Sequence, residues 1–420
     1  MSQPLRMLLA LALGLAVGMA AHRSGAAFVP NLVATAEVIG GLWLDALRMT
    51  IVPLVVALLV TGIASGAEAA RADRLALRAV LLFLTILCAS ALLGAVLLPL
   101  LVTIWPLDPA SGLALRGALS GASVPGDPLP GIAEFLRGII PTNPVAAAAG
   151  NALLPLIVFT TIFGFAVTRL PPDSRTRLTD FFAAIRDAML VVIGWVLWIG
   201  PVGIFALGLV VGARAGTGAM GALVHYIVII SAVGVVIGLL AYVLAVLAGR
   251  VPLGAFARAL IPAQAVAIST QSSLASLPAM LASAERLGIP LQKAGVVLPL
   301  AVALFRATSP AMNLGVALYV AHWLGITLGP TEIMAGVALA AITTLGSVSL
   351  PGQITFFTSI APIALAMGIP VEPIALLIAV ETIPDIVRTV SNVTMDVAVT
   401  TVAARGASQP EDGTSETVEK

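Results

Sequence analysis

The chain contains apolar runs that are long enough to cross a membrane, and this feature constrains its fold most. Several runs exceed the roughly 20 residues that span a bilayer upright. The eight runs cover residues 7–21, 38–66, 75–104, 153–167, 181–211, 223–248, 296–324 and 374–404. Only 10% of the residues are charged, against about 25% in soluble proteins. The runs also lack the short alternating pattern of a membrane β-barrel. The sequence therefore predicts an all-α polytopic membrane protein with eight transmembrane helices.

Two further segments, 253–288 and 331–368, have a different character. Each has two shorter apolar arms around a serine-rich tip with a proline, STQSSLASLP at 269–278 and SVSLPG at 347–352. Non-helical backbone at membrane depth is tolerated where it lines a cavity or is buried in protein. We interpret both segments as re-entrant helical hairpins. Because a full span follows each, the pattern indicates inverted repeats. Ordinary loops at the membrane surface are the alternative.

Positive charge predicts the orientation of the chain. Arginines cluster at 71–78 and 169–177 and flank the first hairpin, whereas the alternate loops carry few. By the positive-inside rule both termini are cytoplasmic, the first hairpin inserts from inside and the second from outside. The polar tail at 406–420 is expected to be disordered and cytoplasmic.

The last apolar run carries six polar side chains on one predicted helix face: Glu381, Asp385, Arg388, Thr389, Asn392 and Asp396. At about 100° per residue they fall within an arc of roughly 100°. Intramembrane charge costs about 2.5–3.5 kcal/mol per residue, so this face is expected to be functional. Arg388 can bind a carboxylate through two hydrogen bonds, and Asp385 can bind an ammonium group. A purely structural Asp385–Arg388 salt bridge is the alternative.

Other kinds of chemistry find little support in the sequence. The three histidines, His22, His225 and His322, form no metal or nucleophile pattern. The serine-rich tips lack a plausible lysine or histidine partner for an intramembrane protease. There is no basic patch to indicate a nucleic-acid partner. We therefore expect a protein that is not an enzyme and has no organic cofactor, and whose partners are a small carboxylate solute and membrane lipid.

Five segments resemble the glutamate transporter family, the dicarboxylate/amino acid:cation symporters. DIVRTVSNVTMD at 385–396 is similar to the family's last helix, and the two tips resemble its hairpin tips. LDALRMTIVPLVVALLVTGIAS at 44–65 and PTNPVAAAAGNALLPLIVFTTIFGFAV at 141–167 are similar to its second and fourth helices. The resemblance covers about residues 5–405.

This resemblance implies a homotrimer that works by an elevator motion. The chain has only two lysines, Lys293 and Lys420, which suggests a GC-rich bacterial genome, and we therefore expect it in a bacterial inner membrane. Scaffold helices 1–2 would occupy 1–74, transport-domain helix 3 would occupy 75–107, and scaffold helices 4–5 would occupy 108–214. The rest of the transport domain would occupy 215–405, with helices 6, 7 and 8 and both hairpins. Arg388 would bind the substrate's side-chain carboxylate and Asp385 its amino group. The other implied substrate contacts are Thr389, Asn392, Ser272, Ser273, Ser349, Pro351 and Gly352. Asp396, with Asn392, would ligate sodium.

One departure from the family concerns cation coupling. The family's seventh helix carries Asn-Met-Asp-Gly-Thr, but here the matching residues 305–309 read FRATS. Two sodium-ligating side chains are therefore missing, and the positive charge of Arg306 is added. Glu381 replaces a shorter acid, and Ser349 replaces a glycine. We expect a symporter of a small acidic amino acid or related carboxylate. Its sodium site would be altered or missing, with coupling to fewer Na⁺ ions, to H⁺ or to neither. The alternatives are a C4-dicarboxylate carrier and a non-transporting receptor or anion channel on the same scaffold.

Overall fold

The structure is a computed structural model that describes residues 3–24, 26–72, 74–108, 137–215, 218–346 and 352–405. The regular structure in these ranges is helical, which confirms the predicted all-α class. The helices are α1 Gln3–Ser24, α2 Val29–Arg48, α3 Ile51–Ala72, α4 Arg74–Ile104, α5 Pro144–Ala149, α6 Leu153–Val167, α7 Pro172–Trp198, α8 Gly200–Ala215, α9 Gly218–Leu247, α10 Leu253–Thr270, α11 Ser273–Arg286, α12 Leu291–Leu304, α13 Ser309–Leu324, α14 Pro330–Gly346, α15 Gly352–Ala366, α16 Glu372–Leu377 and α17 Thr382–Arg405.

The apolar helices support a multi-pass membrane protein. Within the described ranges, seven helical stretches are long and apolar enough to cross a membrane. Shorter apolar helices accompany them, among them α6 and α8. The C-terminal α17 belongs to neither group, as expected for a helix that carries a row of charged and polar side chains.

Four predicted spans are each divided into two helices, so the prediction of continuous helices there is wrong. The breaks fall between α2 and α3, α7 and α8, α12 and α13, and α16 and α17. After each break a proline lies in the first turn of the new helix: Pro53, Pro201, Pro310 and Pro384. Proline restrains the residue before it and has no N–H group, which favours a helix start at these points. Proline alone is not sufficient, because Pro99 and Pro299 lie inside continuous helices.

Helix α4 supports the break between α12 and α13 through three residues that lie on one of its faces. Phe83 stacks on Phe305, with ring centroids 4.6 Å apart. The Ser90 hydroxyl donates a hydrogen bond to the carbonyl of Ala307. At Gly94 the backbone of α13 comes so close that a Cβ atom would lie 2.6 Å from Ala311 Cα. These contacts hold the unwound residues 305–308 in place.

Replacing Gly94 with valine should destabilise the protein, because a side chain there meets backbone that cannot rotate away. Overpacking of this kind costs about 1–3 kcal/mol. We expect a lower melting temperature in detergent, with Gly41→Val as the control, since a Cβ at Gly41 would have no described atom within 4 Å beyond its chain neighbours and the backbone of its own helix. Equal melting temperatures for the two variants would contradict the close approach of α4 and α13.

The helices pack in three main groups. Helices α1, α2 and α8 form one group, and α3, α6 and α7 form a second. In the third, α17 packs among α4 and α9–α12. Among the described residues, the most extensive contacts between the predicted scaffold and transport helices are those of α3 with α4 and α14, and smaller ones join α15 to α3 and α6, and α8 to α9 and α16. An ion pair between Arg48 and Glu372 also joins α2 to α16. The division into scaffold and transport domains, its boundaries, the elevator motion and the trimer stay predictions.

Both predicted hairpins contain a pair of packed helices. Helices α10 and α11 pack together and are joined by Gln271 and Ser272, with Gln271 in the left-handed conformation at φ 51°. Helices α14 and α15 pack together as well, but the tip between them, 347–351, lies outside the described residues. Insertion of the hairpins from opposite membrane faces stays a prediction.

Candidate functional site

The polar face of α17 is buried inside the bundle. The predicted site residues on this helix are each less than one-tenth exposed: Asp385, Arg388, Thr389, Asn392 and Asp396. Glu381 is also buried, but it lies in the turn before α17, where its carbonyl accepts a hydrogen bond from the Asp385 N–H at 2.8 Å. The structure therefore brings the six predicted polar residues into one region and corrects the helical position expected for Glu381.

Arg388 is the centre of a hydrogen-bonded network. Its Nη2 donates to Glu381 Oε1 and its Nη1 donates to Asn313 Oδ1, both at 2.7 Å. Its Nε lies 3.6 Å from Asp385 Oδ1, a looser ion pair. The Tyr226 hydroxyl donates a hydrogen bond to the other carboxylate oxygen of Glu381, Oε2, at 3.1 Å. A guanidinium has five N–H donors, so these partners fix its position and leave N–H groups for a ligand carboxylate.

The remaining polar side chains of this face differ in how many of their hydrogen-bonding positions are occupied by protein partners. Asn392 Oδ1 accepts two hydrogen bonds from Thr308, from its N–H at 2.9 Å and its hydroxyl at 2.8 Å. Both lone pairs are therefore engaged in holding the unwound segment, and the predicted sodium-ligand role of Asn392 would require Thr308 to move. Thr389 donates its hydroxyl proton to the Asp385 carbonyl at 2.9 Å and keeps its lone pairs for a donor.

Asp396 and Arg306 bring further charge to this region. Both carboxylate oxygens of Asp396 are buried and have no hydrogen-bond partner in the part of the chain described. Arg306 lies in the unwound segment, half-buried, and interacts electrostatically with Asp385, Arg388 and Asp396. Together with Glu381, the region holds three carboxylates and two guanidinium groups. If all are ionised its net charge is −1, which one monovalent cation or one proton would neutralise.

The predicted contacts from the hairpin tips are only partly described. Ser272 and Ser273 are half-buried at the first tip, where the Ser272 hydroxyl accepts from the Ala275 N–H at 3.2 Å and caps α11. Ser349 and Pro351 lie outside the described residues, and Gly352 begins α15. The substrate contacts assigned to these residues stay predictions.

Three residues that were not predicted from the sequence complete the network: Tyr226, Asn313 and Thr308. Each is buried and contacts a predicted site residue: Tyr226 from α9, Thr308 from the end of the break before α13, and Asn313 from α13 itself. In the sequence, the only sign of such a role is a polar side chain inside an apolar run, as at Asn313. A polar side chain in that position is expected to face the protein interior rather than lipid.

Comparison with known proteins gives a consistent family assignment. A model of the sodium:dicarboxylate symporter family matches residues 4–406. The proton/glutamate-aspartate symporter of Escherichia coli is 27% identical over 92% of this chain and 89% of its own length. Neutral amino acid transporter B(0) of Bos taurus is 29% identical over 91% of this chain and 76% of its own length. The C4-dicarboxylate transport protein of Laribacter hongkongensis is 23% identical over 90% of this chain and 85% of its own length.

Proposed function

Because the chain belongs to the sodium:dicarboxylate symporter family, we propose that it is a secondary active transporter of a small acidic amino acid or related carboxylate. The observation that carries this proposal is the buried Arg388 guanidinium, positioned by Glu381 and Asn313 beside the loosely paired Asp385. Relatives named as glutamate, aspartate and C4-dicarboxylate symporters support a carboxylate substrate.

Each polar group near Arg388 has a role in binding such a solute. The guanidinium binds a carboxylate of the solute through N–H groups that its internal partners leave over. Asp385 binds the ammonium group, since its contact with Arg388 Nε is 3.6 Å long and easily exchanged. Thr389 accepts a hydrogen bond from the same ammonium group. The further substrate contacts in this proposal are the serines of the first tip, Ser272 and Ser273, and Ser349, Pro351 and Gly352 of the second.

Coupling to a cation follows from the charge of the same region. The unpartnered carboxylate of Asp396 is a hard oxygen ligand that suits Na⁺. The described residues contain no group of three His, Cys, Asp or Glu side chains that could hold a metal, so hydroxyl and carbonyl oxygens would complete a sodium site. Arg306 supplies one positive charge permanently. The transporter would therefore need fewer cations than its relatives, either Na⁺ or H⁺.

The proposed transport cycle uses the elevator motion expected for the family. The region of α4 and α9–α17, with the site inside it, moves against the remaining helices in a homotrimer. The membrane is the inner membrane of a bacterium, with both termini in the cytoplasm. The packing of α17 among α4 and α9–α12 supports this division, because the site is then carried within one domain.

Uptake by proteoliposomes tests the proposed function. Purified protein should accumulate a radiolabelled acidic amino acid or dicarboxylate above its external concentration when an inward Na⁺ or H⁺ gradient is applied. Collapse of the gradient with ionophores should stop accumulation. Binding without accumulation would identify a receptor instead, and gradient-independent equilibration would identify a channel.

A C4-dicarboxylate is the second candidate substrate, and Arg306 is the observation that favours it. A second guanidinium in electrostatic reach of the first could serve a second carboxylate. Asp385, in contrast, favours an amino acid.

The substitution Asp385→Asn should separate these two substrates. L-aspartate and succinate differ by one amino group, so a carboxylate that binds ammonium matters only for L-aspartate. For an amino acid carrier we expect the variant to bind L-aspartate at least about tenfold more weakly, with little effect on succinate. Titration of each ligand against purified wild type and variant measures this. Preferential binding of succinate by the wild type, retained in the variant, would favour the dicarboxylate carrier.

A further inference from the structure

A polar cavity lies between α3, the end of α6 and the start of α7. The residues that line it, within 64–180, are distant from Arg388 in the sequence. The volume of the cavity is about 460 Å³. Four charged side chains line it: Glu68, Arg71, Arg175 and Asp180. The hydroxyl of Thr179, another lining residue, is buried and has no hydrogen-bond partner among the described residues. The cavity therefore presents both signs of charge and an unused hydroxyl.

The opposite charges around this cavity are not joined in ion pairs within the described part of the chain. Arg71 donates a hydrogen bond to the Thr168 carbonyl at 2.8 Å rather than to a carboxylate. Within the described residues no ion pair joins Arg71 or Arg175 to Glu68 or Asp180. Guanidinium and carboxylate groups that share a cavity without touching leave space for a ligand that carries both charges.

The cavity lies where two membrane-spanning stretches end. One stretch, Val29–Arg71, ends at Arg71, and another, Pro172–Trp198, begins just before Arg175. The arginines of this region place it on the cytoplasmic side. This is the depth of lipid headgroups, where arginine side chains meet phosphate.

Two exposed aromatic side chains lie close to the cavity residues in the chain, on α6 and α7. Phe165 on α6 and Phe181 on α7 are 59% and 58% exposed. Phe181 follows Asp180 directly in the chain, and its ring contacts Phe182, whose ring contacts Phe163 on α6. An exposed aromatic surface next to a charged cavity suits a ligand with a charged head and acyl chains.

We propose that this cavity binds the headgroup of a zwitterionic phospholipid with a free ammonium group, as in phosphatidylethanolamine. The phosphate binds between Arg71 and Arg175 through charge-assisted hydrogen bonds. The ammonium group donates to Glu68 and Asp180, and the acyl chains lie along Phe165 and Phe181. A choline headgroup has the same charges but no N–H donor, and a glycerol headgroup has no positive charge, so both should bind less well.

The test is lipid binding to the full chain, purified and delipidated in detergent, with apparent Kd values from native mass spectrometry. Phosphatidylethanolamine should bind wild type at least about fivefold more tightly than phosphatidylcholine or phosphatidylglycerol. Equal affinity for the three lipids would overturn the proposal. Equally tight binding of soluble phosphoethanolamine would assign the cavity to a soluble zwitterion and would also overturn it.

Two variants connect this preference with the cavity. Arg175→Gln should weaken phosphatidylethanolamine binding about fivefold, without loss of folding because Arg175 makes no ion pair among the described residues. Glu68→Gln should remove the preference for phosphatidylethanolamine over phosphatidylglycerol, since the cavity becomes net positive. The matched controls are Arg177→Gln and Asp173→Asn, two exposed residues of α7 that do not line the cavity. Losses of equal size in the controls would show general surface electrostatics and contradict the assignment.

Discussion

Substrate binding should fall at least about tenfold, or about 1.4 kcal/mol, when Arg388 is replaced with lysine. The guanidinium donates to Glu381 and Asn313 at the same time and still has N–H groups for a ligand. A lysine ammonium has three donors and no planar fork, so it cannot hold both partners and a bidentate carboxylate. The measurement is the Kd of the transported solute for purified wild type and variant.

A change at the far end of the same helix provides the control for this experiment. Arg405 is exposed and donates to the Arg250 carbonyl at 3.1 Å, so Arg405→Lys should leave affinity unchanged. Both variants should first be shown to melt near the wild-type temperature. Unchanged affinity in Arg388→Lys would remove Arg388 from the binding site and leave the Glu381–Arg388 pair with a structural role only.

Replacing Arg306 with methionine should increase the dependence of substrate binding on cations. Arg306 interacts with Asp385 and Asp396 from the unwound segment between α12 and α13. Without this fixed charge the region has three carboxylates against one guanidinium, and a buried uncompensated charge is costly. One further monovalent cation should therefore be bound with the substrate. The slope of log affinity against log Na⁺ concentration should rise by about one in the variant.

This experiment requires constant ionic strength, with choline replacing sodium, and should be repeated with proton concentration as the variable. Arg286→Met at the exposed end of α11 is the control and should keep the wild-type slope. A steep dependence on several sodium ions in the wild type would show that Arg306 has not replaced a cation. The same slope in wild type and Arg306→Met would show that Arg306 does not contribute to coupling.

For helices whose bounds follow from a local run of apolar residues, the predicted bounds agree closely with those in the structure. The run 153–167 is α6, Leu153–Val167, and the run 75–104 is α4 with one further residue at its start. These segments are predominantly apolar, and in a membrane the backbone of such a segment satisfies its hydrogen bonds within one helix. The polar face of α17 was also predictable, because buried charge is too costly to occur without a role.

The sequence by itself therefore determined the membrane-spanning helical class, the helix pairs α10–α11 and α14–α15 and the polar face that carries Arg388. Only the tertiary structure decided where helices break and which groups Arg388 contacts. The break at 305–308 depends on Ser90 and Asn392, which are distant in the chain and satisfy backbone groups that an unwound segment exposes. Likewise, Tyr226 and Asn313 come from α9 and α13, and no local periodicity relates them to α17. Hydrophobic periodicity reports which face of one helix is buried, whereas the identity of the partner depends on how separate helices pack.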